Sequence, residues 1–318
     1  MTDTTRLAHL PISIFAVVMG LSGLTLAWQK TAGVLGTPAF VWQGLLALTI
    51  ACFVLFAISY LVKSLRHPSF VRAEFNHPVK LSFFPAISIS TLLIGTALRD
   101  IAPSIGEALW LIGAVAHLGL TIIVINLWIH QEHFQIEHIN PAWFIPVVGN
   151  VLLPIGGVEY GQLTLSWLGF SVGIFFWPPL LTVVLYRIFF HHPLPNRLLP
   201  TLFIMIAPPG IGFVAWTTLT GELSPFGQIL YFVGLFFTAL MVTQVARFAR
   251  LPFFLSFWAY SFPMAAITIA TFVYHELTAA PWALFLGIML LVMTTLLILW
   301  LAILTSQAAK QGRICVPE

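Results

Sequence analysis

The residues of this sequence best suited to chemistry lie in one short stretch, HQEHFQIEH, at positions 130–138. Its candidate ligands are His130, Glu132, His133, Glu137 and His138. Imidazole nitrogens and carboxylate oxygens bind zinc and related metals, so one hypothesis is a membrane-embedded metalloenzyme. However, the spacing matches neither H-E-x-x-H nor its inverse, and no complementary cluster occurs in another loop. We therefore favour a solvated loop, and we predict no metal, no cofactor and no enzymatic activity.

The long apolar stretches of the chain hold almost no other ionisable group, and His117 is the only one away from a stretch's end. Pumps and ion-coupled carriers hold their coupling ion with buried carboxylates, histidines or cations. The scarcity of such groups therefore favours passive conduction. His117 could titrate, but its small neighbours favour a hydrogen-bonded packing role.

Membrane spans are the elements that must position these residues. The chain has 318 residues, of which 59% are hydrophobic and 7% charged, and its mean hydropathy is +1.00. Soluble domains carry roughly a quarter of charged residues. At about 20 residues per span, the length accommodates roughly ten helices. We predict a single transmembrane domain over residues 1–318, which leaves no room for an ATPase, a kinase or a nucleic-acid-binding module.

Ten apolar stretches reach spanning length. The predicted helices cover about 10–29, 39–62, 80–98, 107–129, 142–158, 162–187, 198–219, 224–246, 253–274 and 279–305. An even number of spans places both termini on one side of the membrane. That side collects eleven lysines and arginines, whereas the other holds only Lys30 and Arg99. Because basic residues concentrate in cytoplasmic loops, we expect both termini in the cytoplasm.

A proline recurs near the middle of four odd-numbered stretches. Pro85, Pro146, Pro208 and Pro263 follow one another at intervals of 61, 62 and 55 residues, and Val18 occupies the matching place in the first stretch. A fixed period near sixty predicts one two-helix hairpin used five times. Proline removes a backbone hydrogen bond and bends a helix. We expect a neighbouring helix or water to satisfy the carbonyl that it frees.

The fold predicted from this repeat is an all-α membrane protein of five tandem helical hairpins with quasi-fivefold symmetry. The odd helices, which carry more small and hydroxyl residues, would form an inner ring around a central pore. The tenth stretch is apolar on all sides, as expected of a lipid-facing outer helix. The alternative is that the prolines kink a solid bundle without a pore.

Large apolar side chains precede the proline position in several repeats. Phe15, Phe84, Ile145 and Phe262 occupy such places. A ring of these side chains at mid-membrane would narrow a pore and expel water, which holds a channel shut. We predict that Phe262 is the gate. The predicted pore lining is Phe15, Ala16, Phe84, Pro85, Ile145, Pro146, Pro208 and Pro263.

The sign of the conducted ion stays open at this level. A ring of aspartate or glutamate, typical of a cation path, is absent from the spans, and the basic loops would raise the local anion concentration. Carbonyls freed by the prolines would suit cations, although half-helix N-termini at the bends could offset them.

Four pieces of the chain resemble a known family. They are LPISIFAVVMGLSGLTLAW at 10–28, VRAEFNHPVKLSFFP at 71–85, IAPP at 206–209 and FWAYSFPMAAITIATFVYH at 257–275. The sequence is similar in these pieces to the tellurite-resistance/dicarboxylate transporter family, which includes the slow-type anion channels of plant guard cells. The likeness runs through most of the chain.

The resemblance implies a ten-helix, quasi-fivefold pore, commonly a homotrimer, that passes small anions such as chloride and nitrate. The family's gating phenylalanine maps onto Phe262 through SFPMA, and a pore aromatic maps onto Phe84 or Phe83 through SFFP. The chain departs from the family at Ala16, where relatives carry glycine, and at Val18, where a proline is replaced. We therefore expect a straighter first helix.

From these observations we predict a passive channel for small monovalent anions in the lipid of a bacterial inner membrane. The alternative is a carrier for dicarboxylates, sulfite or tellurite, as in other branches of the family. A carrier would need a cationic or donor-rich site near mid-membrane for a dianion, and the spans supply none.

Overall fold

The computed structural model describes residues 3–131 and 134–316. The regular structure in these two ranges is helical, and they contain no β-strand. The prediction of an all-α membrane protein is confirmed.

Ten helices, numbered here α1 to α10, follow the predicted stretches closely. They are Ile12–Leu35, Ala39–Arg66, Lys80–Leu98, Pro103–His130, Pro141–Gly157, Leu163–Phe190, Leu199–Thr220, Pro225–Val242, Leu255–Thr278 and Pro281–Lys310. Within the described ranges, nine of them are long and apolar enough to cross a membrane, and α5 is shorter. Short helices also form at Asp3–Ala8, Pro68–Phe75, Ile136–His138 and Val245–Phe248.

Each odd-numbered helix begins with 3₁₀ turns and continues as an α-helix, which in α5 is interrupted by a second 3₁₀ segment at Gly149–Leu152. The initial 3₁₀ segments are Ile12–Ile14, Lys80–Phe83, Pro141–Trp143, Leu199–Ile206 and Leu255–Tyr260. The prolines therefore lie at or near the start of the α-helical part, which corrects the prediction of α-helices bent at their centre. α1 lacks the proline but still begins with three 3₁₀ residues. α7, which has the proline, begins with eight.

The 3₁₀ winding explains how the chain accommodates its prolines. Proline has no N–H for the carbonyl four residues earlier. Before Pro85, the carbonyl of Leu81 instead accepts the N–H of Phe84 at 3.1 Å, the i to i+3 pattern of a 3₁₀ turn. Before Pro208, the carbonyl of Ile204 likewise accepts the N–H of Ala207. These carbonyls are satisfied within their own helix, and the expectation of a neighbouring helix or water is wrong for them.

Burial separates the odd helices from the even ones. In the most apolar window of α1, α3, α7 and α9, 78–83% of the residues are buried. The corresponding windows of the even helices are only 17–39% buried. Phe175, Phe285 and Leu296 are among the large apolar side chains exposed on the even helices. Such a surface suits contact with lipid.

The contacts between helices follow the hairpins and close a ring. Each even helix packs against the odd helix before it, as α4 does against α3 and α10 against α9. Among the odd helices, α1 contacts α3, α3 contacts α5, α5 contacts α7, and α7 contacts α9. α9 then contacts α1, so the first and last inner helices are neighbours.

Glycines allow two of these contacts to be close. A β-carbon on Gly20 of α1 would lie 3.1 Å from Cε3 of Trp258 on α9. On α3, a β-carbon on Gly95 would lie 2.5 Å from the backbone nitrogen of Trp110 on α4. Side chains at these glycines would force the helices apart.

The two ends of the bundle differ in charge. The described N- and C-terminal segments meet at one end, where Gly312 lies beside the Arg6 guanidinium. We call this end the basic face. At the other end, the acidic face, ion pairs join Lys30 to Glu276 and Arg99 to Glu159. Its charged residues are Lys30, Arg99, Asp100, Glu107, Glu159, Glu222 and Glu276.

A buried ion pair ties the start of α1 to the end of α2 on the basic face. Lys63 Nζ lies 2.6 Å from Glu74 Oε2 and donates to the Leu10 carbonyl at 2.8 Å. The Tyr60 hydroxyl donates to the same carboxylate at 2.9 Å, and the Ile12 N–H does so at 3.3 Å. Lys63 is 1% exposed, so this site depends on both charges being present.

Candidate functional site

A central cavity lies between the five odd-numbered helices. Its volume, measured as the space open to the centre of a water molecule, is about 70 Å³. Each inner helix contributes to its wall, for example through Ala16, Phe83, Ile145, Pro208 and Phe262. The volume is enough for several water molecules. The bundle is therefore not solid at its centre.

Five of the predicted site residues line this cavity and four do not. The lining includes Ala16, Ile145, Pro208, Phe262 and Pro263. Phe15, Phe84, Pro85 and Pro146 are not part of it.

Phe15 and Phe84 pack behind the cavity wall and away from their predicted position, whereas Phe83, the predicted alternative to Phe84, lines the cavity. The Phe15 ring lies 6.2 Å from Phe53 and 6.1 Å from Tyr60, and it is fully buried. The Phe84 ring lies 5.0 Å from Phe75 and 6.3 Å from Tyr60. These rings connect the inner helices to α2 and to the helix Pro68–Phe75.

The positions that face the cavity differ between repeats. In α5 and α9 the residue directly before the proline lines the cavity, as Ile145 and Phe262 do, and in α5 the preceding Phe144 lines it as well. In α3 it is Phe83, two residues before Pro85. A change from 3.0 residues per turn to 3.6 rotates the facing position, and its extent depends on where the 3₁₀ segment ends. Sequence alignment of the repeats carries no signal for that boundary.

Phe262 rests against a part of α1 that has no side chain. A β-carbon on Gly23 would lie 3.2 Å from Cδ2 of the Phe262 ring and 2.9 Å from Cβ of Ala265. The ring is partly buried and forms part of the cavity wall. The sequence pattern identified Phe262 but not Gly23, because the contact joins the first and last inner helices.

The cavity wall is almost entirely apolar. Among the described residues, no charged side chain lines it, and the hydroxyls are those of Ser13 and Ser256. Ser256 Oγ donates to the Arg197 carbonyl at 2.6 Å. Such a wall interacts weakly with any ion, and it holds no group that could bind a proton or a metal.

A second, larger space connects the cavity region to the basic face. We call it the vestibule, and its volume is about 540 Å³. Its wall includes the basic side chains of His9, His77, Lys80, Arg197 and Arg313.

The vestibule and the cavity share part of their walls. The shared residues are Ser13, Phe83, Leu255 and Ser256, which we call the neck. The two spaces therefore adjoin at the neck, which has two apolar side chains and two hydroxyls.

His117 has a packing position rather than a place in the cavity wall. It is fully buried, and its Nδ1 lies 3.0 Å from Ser88 Oγ. Because that hydroxyl donates to the Pro85 carbonyl, Nδ1–H donates to it. A β-carbon on Gly149 would lie 2.8 Å from Nε2 of His117, so the imidazole fills the space behind that glycine.

The stretch 130–138 is only partly described, because Glu132 and His133 lie outside the described residues. His130 Nδ1 lies 2.9 Å from the Asn126 carbonyl, and His138 Nδ1 accepts the Gln135 N–H at 3.1 Å. In the described part of the chain, no group of three histidine, cysteine, aspartate or glutamate side chains is placed to hold a metal ion.

An apolar cavity between the inner helices, with outer helices that suit contact with lipid, defines a multi-pass membrane protein built around a central cavity. Comparison with known sequences specifies the family. Residues 9–306 match the profile of the SLAC1 family, described as voltage-dependent anion channels, and the chain belongs to this family.

Relatives of the chain come from archaea, plants and bacteria. An uncharacterized transporter of Methanocaldococcus jannaschii is 28% identical over 83% of this chain and 83% of its own length. The S-type anion channel SLAH3 of Arabidopsis thaliana is 26% identical over 94% of this chain and 48% of its own. The tellurite resistance protein TehA homolog of Haemophilus influenzae is 27% identical over 86% of this chain and 84% of its own.

Proposed function

We propose that this protein is a passive channel for small monovalent anions, with chloride and nitrate as substrates and Phe262 as the gate. The observation that carries the proposal is the central cavity, which has wall residues on all five inner helices and the Phe262 ring among them. A benzyl group in so small a space would block the passage of ions until it moves.

The chemistry of the wall supports passive conduction. An ion-coupled carrier holds its coupling ion with buried ionisable groups. The described wall offers apolar side chains and two hydroxyls instead. Weak interaction with the ion suits rapid passage, because an ion that binds tightly leaves slowly.

Two features support anions over cations. On the basic face, lysines and arginines outnumber aspartates and glutamates in the part of the chain that the structure describes, and this surplus raises the local anion concentration. The carbonyls before Pro85 and Pro208 accept N–H groups of their own helices, so they are less available to a cation than the sequence suggested.

The arrangement that goes with this function has ten passes and quasi-fivefold symmetry within a single domain over residues 1–318. In this arrangement α5, though short, completes the inner ring, and the basic face is cytoplasmic. We place the protein in a bacterial inner membrane, as a homotrimer surrounded by lipid. Chloride, nitrate, trimer and location come from the family resemblance, and the charge difference between the faces supports the orientation.

Removal of the Phe262 ring tests the function. We expect Phe262→Ala to raise chloride current across a voltage-clamped bilayer by at least roughly tenfold, equivalent to about 1.4 kcal/mol of barrier. The matched control is Phe285→Ala, which removes the same ring from a side chain that is 73% exposed on α10. An unchanged current in Phe262→Ala, or an equal rise for potassium, would refute the proposal.

A carrier for dicarboxylates, sulfite or tellurite is the alternative, and the Haemophilus relative's name is the observation that favours it. The same measurement separates the two. A channel current rises with anion concentration well beyond the range in which a carrier saturates. Malate and sulfite flux that saturates in the wild-type protein, without chloride current in Phe262→Ala, would support the carrier.

A further inference from the structure

Polar side chains on one face of the outer helix α4 contact the back of two inner helices. His117 and Thr121 are four residues apart, so they lie one turn from each other on the same face. They are 0% and 3% exposed. Polar and ionisable side chains inside a membrane span are expensive, so a function is expected of them.

His117 is bonded to the turn of α3 that contains Pro85. Its Nδ1–H donates to Ser88 Oγ at 3.0 Å, and that hydroxyl donates to the Pro85 carbonyl at 2.8 Å. Ile89, directly after Ser88, lines the central cavity. The bond from His117 therefore attaches a wall-forming segment of α3 to α4 from behind.

Thr121 makes the corresponding attachment to the proline turn of α5. Its hydroxyl lies 2.6 Å from the Pro146 carbonyl and 2.8 Å from that of His117, so the contact with α5 is the shorter of the two. The same hydroxyl accepts an N–H of the Asn150 side chain at 2.8 Å. Ile145, directly before Pro146, lines the cavity. Both proline turns are thus bonded to the same face of α4.

Asn150 has an energetic cost at this place. It is 0% exposed, and its Oδ1 has no hydrogen-bond partner among the described residues. A buried acceptor without a partner costs about 1–3 kcal/mol. The side-chain nitrogen, however, donates to Thr121 and to the Val147 carbonyl, each at 2.8 Å. Gly149 and Val151, on either side of Asn150, line the cavity, so these two bonds also act behind the wall.

The hydrogen bonds lie on the side of α3 and α5 that faces away from the cavity. A cavity of about 70 Å³ is unfavourable, because its wall lacks the contacts that close packing would supply. The apolar wall is therefore drawn inwards, and bonds to α4 oppose that movement where α3 and α5 form the wall.

From this geometry we propose that His117, Thr121 and Asn150 are positioning residues for conduction. They hold the proline turns of α3 and α5 outwards, towards α4, and so keep the central path wide. The proposal deepens the proposed function and rests on it for the effect on current, whereas the effect on the cavity does not require conduction.

The first experiment removes one hydroxyl and keeps the shape of the side chain. In Phe262→Ala channels we expect Thr121→Val to lower the single-channel chloride current by roughly threefold, because a narrower apolar path opposes ions more strongly. An unchanged single-channel current would overturn the proposal.

The matched control is Thr294→Val on the outer helix α10. Thr294 is 0% exposed, and its hydroxyl lies 3.2 Å from that of Thr268 on α9, a residue that does not line the cavity. Both variants lose a buried hydroxyl that contacts an inner helix. We therefore expect similar losses of thermal stability but a lower chloride current only in Thr121→Val. An equal fall of current in Thr294→Val would show that general loosening of the bundle, and not the contact with the proline turn, is responsible.

The second experiment replaces His117 in the same Phe262→Ala channels. Asparagine keeps an N–H donor at the position of Nδ1, whereas leucine fills the space of the imidazole more completely but cannot donate. We expect His117→Asn to keep most of the single-channel current and His117→Leu to lower it several-fold. The opposite order would mean that His117 acts by its volume, and would overturn its role in the network.

The third experiment needs no current. Crystal structures of Thr121→Val and Thr294→Val, each in the otherwise wild-type protein, compare the volume of the central cavity. We expect a smaller cavity only in Thr121→Val, with Ile145 moved towards the axis. A cavity of unchanged volume in Thr121→Val, or the same loss in both variants, would overturn the proposal.

The two kinds of measurement separate this inference from the proposed function. If Phe262→Ala conducts chloride and Thr121→Val changes neither the cavity nor the current, this inference fails while the proposed function stands. If Phe262→Ala carries no chloride current but the cavity shrinks in Thr121→Val alone, the proposed function fails, and the network is shown to hold the cavity open.

Discussion

The ring of Phe262 lies directly against Gly23, with Cδ2 3.2 Å from the place where a β-carbon on residue 23 would stand. This contact joins α9 to α1, the last inner helix to the first. Such a distance is tighter than ordinary van der Waals contact, so a side chain on residue 23 would push the ring aside by a few tenths of an ångström. Gly23 therefore sets the resting position of the proposed gate.

Gly23→Ala displaces the Phe262 ring, and we expect a leak of chloride that is several-fold above wild type but smaller than in Phe262→Ala. A β-carbon on residue 23 would also lie 2.9 Å from Cβ of Ala265, so the alanine presses on the α9 helix as well as on the ring. The part of the leak that acts through the ring should not add to that of Phe262→Ala in the double variant. Bilayer currents of the two single variants and the double variant measure this coupling. Gly33→Ala is the control on the same helix, since a β-carbon there has nothing within 4 Å. Additive currents, or an equal leak from the control, would show that Gly23 does not position the ring.

Phe83 and Phe84 differ in role although they are adjacent. Phe83 lines both the cavity and the vestibule, whereas Phe84 packs against Phe75. In the Phe262→Ala background we expect Phe83→Ala to raise single-channel chloride current about twofold or more, since it widens the neck that then limits flow. Phe84→Ala should leave that current unchanged and lower thermal stability instead, by about 3–5 kcal/mol at most. The reverse result would restore the assignment of Phe84 to the pore.

The buried pair of Lys63 and Glu74 should be costly to break. Glu74→Gln leaves the Lys63 ammonium buried without its counter-charge, and we expect a loss of about 3–5 kcal/mol in stability. Lys63→Met combined with Glu74→Gln should recover part of this loss, because no uncompensated charge remains. Thermal unfolding of the protein in detergent measures both variants. If Glu74→Gln were as stable as the wild-type protein, water or a lipid headgroup would have to reach Lys63 and compensate its charge.

Close packing of α3 on α4 predicts a contrast between two glycines. A β-carbon on Gly95 would overlap the backbone of Trp110 and Gly106, at 2.5 and 2.7 Å, whereas one on Gly119 meets nothing within 4 Å. Backbone cannot move aside as a flexible side chain can, so Gly95→Ala should destabilise by about 1–3 kcal/mol. Gly119→Ala, on α4, should be neutral or slightly stabilising. Unfolding midpoints of the two variants, compared at equal detergent concentration, test the contrast.

Several elements were predictable from sequence because local patterns specify them. Apolar length located α3 at 80–98, the bounds that the structure has. The regular interval between Pro85, Pro146 and Pro208 predicted repeated hairpins in which the odd-numbered helix lies inside the bundle. The greater burial of the odd-numbered helices agrees with this prediction. Phe262 was predictable as a residue of the cavity wall because its position in the repeat and the SFPMA motif point to the same residue.

What the sequence could not supply depends on register and on distant contacts. Phe15 and Phe84 were expected in the wall because the repeats were aligned on their prolines, whereas the end of each 3₁₀ segment decides which residue faces the cavity. Gly23 carries no local signal, because its importance comes from a ring that lies 239 positions later in the chain (262 − 23). The vestibule likewise assembles from loops that are distant in sequence.

The contact between α1 and α9 has a consequence for biogenesis. A ribosome delivers α1 first and α9 near the end, so throughout synthesis the nascent bundle has a gap along one side. Through that gap, inner surfaces rich in small and hydroxyl residues face the bilayer until the final hairpin inserts. A chain truncated before α9 would therefore lack the contact that completes the inner ring.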